Sequence, residues 1–199
     1  MVEARTNDGL RVELHENGTW TAFEPPKDVA SGSSFRRVTW GASRGEVEES
    51  EGRSPDGEGA NTLGFTVTVA ELAATALYIF VSDTLVRAKY LITQPHSDDN
   101  LYLKDFATLF ELLTAKYGQP SEKNEFWSND LYQDSPQEYG MAVSAGHMSR
   151  YYLWSSSETA IYLALTGDNY EVNLQIEYIG REFEALDAAE QQKSSLSDL

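Results

Sequence analysis

The chain has 199 residues, 41% hydrophobic and 12% aromatic, enough to bury a core as one domain or two small ones. Its net charge of −17 repels nucleic acid and anionic membranes and attracts a basic partner or a cation. The absence of cysteine excludes disulfides, a thiol nucleophile, a cysteine lipid anchor and Cys-based metal sites. No run approaches the roughly 18–20 apolar residues of a membrane-spanning helix.

Residues 9–23, GLRVELHENGTWTAF, predict a β-hairpin. Leu10, Val12 and Leu14 alternate with polar residues, and Asn17-Gly18 suits a tight turn. Pro25-Pro26 ends the return strand, and a linker runs to residue 34. In FRRVTWGASRGEVEES (35–50), Ser43 and Glu46 have the spacing of a capping box, so a helix of about two turns is expected, closed by Gly52. Val38 and Trp40 precede it and are expected in the core. The segment 52–61 predicts a loop.

Three strands follow between residues 64 and 94: GFTVTVAE, TALYIFVS and LVRAKYLIT, with Ser82-Asp83-Thr84 turning between the last two. Phe106, Leu109, Phe110 and Leu113 recur at helical spacing and predict a helix over about 102–117, ended by Gly118 and Pro120. Strands are expected near 124–132, 139–146, 149–155, 159–166 and 172–179. The last stretch, 181–199, predicts a polar helix that frays into a disordered tail.

The run from Thr75, TALYI, returns 84 residues later as TAIYL from Thr159, and Tyr90 returns as Tyr178, 88 residues on. The four-residue difference is even, so a longer turn at TGDNYE would absorb it without turning side chains over. Each hairpin follows a helix and a strand. The expected fold is therefore α+β: two tandem helix-plus-antiparallel-sheet units, about 35–95 and 96–180, forming one sheet with helices on one face. The N-terminal hairpin and linker occupy 1–34, and the tail 181–199.

Val-x-Trp-Gly-x-Ser-x-x-Glu-Val, from Val38 to Val47, resembles the first-helix entrance of bacterial proteins with the β-lactamase-inhibitor-protein-like fold. The ending Lys-Tyr-Gly-x-Pro, Lys116 to Pro120, is similar to the same group, as is Asp8 to Trp20 to the start of exported bacterial proteins. The small lipoprotein of the outer-membrane barrel-assembly machinery shares the helix-plus-sheet unit. The resemblance covers roughly 35–180 and implies fold more than function. An extracytoplasmic setting, periplasmic or exported with a signal removed, is favoured over a cytoplasmic one, and the N-terminus itself shows no apolar signal segment. The missing cysteine departs from the lipoprotein members.

Chemistry leaves little trace. His15, His96 and His147 form no metal-ligand pattern, and no G-x-S-x-G elbow, Walker A loop or G-x-G-x-x-G fingerprint occurs. Neither Asp56-Gly57-Glu58-Gly59 nor Ser97–Asn100 has the ligand order of a calcium loop. No catalytic residue, metal or cofactor is assigned. Alternation is expected to put Leu77, Ile79, Val81, Ile161, Leu163 and Leu165 beneath the helices. The opposite face would carry Tyr78, Phe80, Tyr162, Arg87, Lys89 and Gln175, with Tyr152 and Trp154 adding aromatics. Tyr, Trp and Arg are the residues of protein-recognition surfaces, so the expected role is a non-enzymatic module binding a protein or peptide. The alternatives are a cytoplasmic immunity-type inhibitor of a basic toxin and a hydrolase using acidic residues.

Overall fold

The computed structural model describes residues 34–197 and three strand segments before them. Those segments, β1 (Val2–Arg5), β2 (Arg11–Leu14) and β3 (Trp20–Ala22), pair in that order as an antiparallel sheet. The expected turn at Asn17-Gly18, the proline stop and the linker lie outside the described residues.

The main body begins with α1 (Arg44–Glu51), followed by β4 (Gly57–Gly59), β5 (Thr62–Val69), β6 (Leu72–Val81) and β7 (Thr84–Ile92). Then come α2 (Asn100–Tyr117), β8 (Glu122–Trp127), α3 (Tyr139–Ser144), β9 (Met148–Ser155), β10 (Thr159–Asp168), β11 (Glu171–Gly180) and α4 (Glu184–Ser197). The eight strands from β4 onward form one antiparallel sheet in the order β4-β5-β6-β7-β11-β10-β9-β8. The first half is α1 followed by β4–β7, the second is α2 followed by β8, α3 and β9–β11, and the two last strands, β7 and β11, meet at the centre. Thr75 and Thr159 fall in corresponding third strands, β6 and β10.

The entrance to α1 forms as its sequence dictates. The Glu46 amide donates to Ser43 Oγ, the Ser43 amide donates to the Glu46 carboxylate, and Gly52 closes the helix at φ 68°. Val47 faces inward and is fully buried. Trp40 is half-buried rather than sealed in the core. It donates from Nε1 to Thr159 Oγ1 at 2.9 Å and packs close to Gly180, which ties the first helix's approach to the second half. Trp40→Ala should cost about 3 kcal/mol, the low end for deleting a packed aromatic, and Ser43→Ala about 1 kcal/mol, both read by urea denaturation. The Ser43 amide, followed by its hydroxyl, holds the Glu46 carboxyl below its ordinary range. That shift supplies stability above the unfolded-state value which is lost as pH falls through the folded one. In Ser43→Ala the Glu46 titration should move back up, as followed by NMR.

Two elements differ from expectation. The stretch 139–146 is a helix, α3, and not a strand. Its Gly140 lies against the backbone at Asp99–Asn100, where a Cβ would come within 2.4 Å of main-chain atoms, and its amide donates to Asn100 Oδ1. A six-residue apolar run cannot report that long-range contact. The segment 52–61 contains β4, which pairs with the start of β5.

The faces of the sheet also differ. Tyr78 lies opposite Ala88, Ala88 opposite Tyr178, Tyr178 opposite Ile161, and Ile161 opposite Trp154, so these five share one face. That face carries α1, α2 and α3: Glu51 of α1 meets Tyr78, Phe106 and Phe110 of α2 pack on Tyr152, and α3 backs onto Gly167. Leu77 and Ile79 therefore point away from the first three helices, whereas Ile161, Leu163 and Leu165 point toward them. The cause is one residue. The register of β6 on β7 shifts between Ile79 and Phe80, leaving Val86 as an extra residue, a β-bulge. The β10–β11 hairpin has no such bulge: Thr75 pairs with Leu91 and Thr159 with Gly180, so the partners are offset by 89 residues where the motif is offset by 84, and the odd difference of five inverts the face. α4 is also a departure, because its Asp187 reaches Arg87 on the opposite face.

Candidate functional site

The face opposite α1–α3 holds two rows that run from β6 to β8. One runs Leu77, Lys89, Glu177, Tyr162, Leu153, Glu122, and the next runs Thr75, Leu91, Gln175, Ala164, Tyr151, Asn124. Four of the expected site residues meet here: Arg87, Lys89, Tyr162 and Gln175. The other four do not. Tyr78 and Phe80 are buried beneath the first half's helix, Trp154 is buried at the end of α2, and Tyr152 is half-buried between Phe106 and Phe110. These four are core residues.

The centre of the face is charged but internally balanced. Glu177 accepts from Lys89 Nζ at 2.9 Å and Arg87 Nη1 at 3.1 Å, and Arg87 Nη2 lies 3.4 Å from Asp187 of α4. The cations expected to greet a partner are therefore held by carboxylates. α4 covers this end of the face, over β6 and β7.

The other end is aromatic. Phe126 and Tyr151 are 56% and 37% exposed, with ring centroids 6.0 Å apart. Leu153 follows Tyr151 two residues along β9, and Tyr162 sits opposite Leu153. Together these four place three rings and one leucine side chain on one end of this face. Its surroundings are acidic, with Glu122 beside Leu153 across β8. Where β7 stops and the β10–β11 hairpin runs on, a hollow of about 600 Å³ has Asp168 and Glu171 among its walls. Phe126, Tyr151 and Leu153 are the residues of this face that sequence reasoning missed, whereas Glu177 lies beside Lys89 and Tyr162 as the alternation of β11 predicts. The signal was the alternation within Arg150–Trp154, which assigns Tyr151 and Leu153 to one face and Tyr152 and Trp154 to the other without saying which is open.

Among the described residues, no cluster of His, Asp and Glu is arranged to hold a metal ion. His96 lies 2.5 Å from Asp105 of α2 and its ring packs edge-on to Tyr102, an arrangement that fastens the loop before α2 to that helix. No helix of the described chain is long and apolar enough to cross a membrane. Comparison with protein-family models, curated proteins and solved structures gave no match.

Proposed function

We propose that this chain is a non-enzymatic module that binds a protein or peptide through the sheet face opposite α1–α3. The observation that carries this reading is the strip of Phe126, Tyr151, Leu153 and Tyr162, exposed or half-exposed beside a self-neutralised polar centre. Exposed aromatics on a rigid sheet offer large contact area at low entropic cost, as interface hot spots do. The acidic rim and the net charge of −17 favour a partner whose own apolar anchors are ringed by lysine and arginine.

Both tyrosines lie off the buried face, so Tyr151→Ala with Tyr162→Ala should leave the circular dichroism spectrum and urea midpoint near those of the parent. Capture of the partner from a native-host extract should fall by about tenfold or more, as expected when two hot-spot aromatics are removed. Undiminished capture by the folded double variant would place the site elsewhere.

A further inference from the structure

A second feature lies on the far side of the molecule, at the outer edge of β5. β5 runs from Thr62 to Val69, but β4 pairs only with Thr62–Gly64. Beyond that point the even-numbered residues present their main-chain groups outward. Thr66 shows this directly: its amide donates to Asp56 Oδ2 at 2.6 Å, and its carbonyl accepts from Arg53 Nη2 at 2.7 Å. Arg53 also pairs with Asp56 at 2.9 Å, so the two side chains imitate one residue of a neighbouring strand. At Thr68 the imitation stops, and its outward amide and carbonyl have no partner among the described residues. An edge of this kind is a template for another strand.

The edge borders a polar hollow of about 460 Å³ walled by Arg36, Arg37 and Arg53. Arg36 is engaged by Glu51 and Arg53 by Asp56, whereas Arg37 is exposed and has no ion-pair partner among the described residues. Three guanidiniums in one hollow are unexpected in a chain with 15 basic and 32 acidic residues. The site already shows how it holds a carboxylate, since Asp56 bridges a strand amide and an arginine.

We propose that the outer edge of β5 is a strand-addition site for an extended acidic peptide from another protein. The peptide backbone pairs with the outward groups of Thr68, and carboxylate side chains on alternate residues take Arg37 and, by displacing Asp56, Arg53. The local charge of the hollow, and not the net charge of −17, selects this occupant, and a second copy of this chain is distinguished from it by sedimentation.

The test uses the full chain and two fluorescent peptides, one alternating glutamate with valine and one alternating lysine with valine. The glutamate peptide should bind, more weakly as salt is raised, with amide NMR shifts centred on residues 66–69; the lysine peptide should not bind. Arg37→Glu should weaken binding by about tenfold or more, the usual effect of losing a charge-assisted bond. Thr68→Pro removes an outward amide without touching a bond to β6, as proline on an edge strand can, and should weaken binding similarly. Loss in Arg37→Glu with full binding by Thr68→Pro would reduce the hollow to a simple anion site and overturn strand addition. Shifts confined to the Tyr151–Tyr162 face, or sedimentation showing a dimer that Arg37→Glu disperses, would overturn it too.

Discussion

Glu51→Ala should be among the most destabilising single substitutions in this protein, lowering unfolding free energy by about 3–5 kcal/mol in urea, as when one partner of a buried charged network is deleted. Glu51 ends α1 with its side chain only 8% exposed, and it accepts from Arg36 Nε at 2.6 Å and Nη2 at 3.1 Å. It also accepts from the hydroxyl of Tyr78, whose ring is sealed between Phe35 and Phe65. Alanine would leave a buried phenol and a guanidinium without their acceptor, and each would bear its desolvation cost alone. Adding Tyr78→Phe should recover part of the loss, because the orphaned hydroxyl is then gone. Simple additivity of the two would mean that they do not interact. Burial, followed by the bond to Glu51, raises the Tyr78 hydroxyl well above the ordinary phenol value of 10. A raised folded-state value gives stability that is complete below the unfolded value and declines as pH rises above it. The parent should therefore weaken in alkali above about pH 10, and Tyr78→Phe should weaken less.

Trp154→Ala should cost a comparable amount, about 3–5 kcal/mol, the range for removing a fully packed aromatic. Trp154 is 2% exposed. Its ring packs beside Phe110, and its Nε1 donates to the carbonyl of Gly118 at 2.8 Å, where α2 ends with φ at 83°. One side chain thus fills the core beneath α2 and satisfies a carbonyl at the point where that helix stops. Loss of α2 anchoring should appear as faster hydrogen exchange across 106–117. A cost below about 1 kcal/mol, typical of surface positions, would mean that the ring is not the anchor described.

Much of the fold was legible because its determinants are local. Ser43, Glu46 and Gly52 specify the start and stop of α1 within ten residues, and Phe106, Leu109 and Leu113 mark the inner stripe of α2. The α+β plan with one antiparallel sheet was legible because strand and turn signals recur on both sides of the α2 stripe. Which side of each hairpin faces the helices was not. That choice depends on Val86, whose neighbours in sequence look like an unbroken strand, and a single bulged residue reverses every side chain beyond it. Tyr78 and Phe80 look like surface aromatics in an alternating strand, yet they are buried on the α1 side, and the exposed ring of β9 is Tyr151 and not its neighbour Tyr152. The pairing of Arg87 and Lys89 with Glu177 and Asp187 was equally invisible, because the partners are brought together across about 90 residues of chain by the β7–β11 contact.

Site-directed photocrosslinking tests the binding face most directly. A photoreactive phenylalanine analogue at Tyr151 lies on the exposed strip, and one at Leu112, 52% exposed on α2, lies on the helical side of the molecule. Irradiation in native-host extract should give a discrete adduct from position 151 and none from position 112. An adduct from position 112 with none from position 151 would contradict the assignment of the open sheet face as the binding surface.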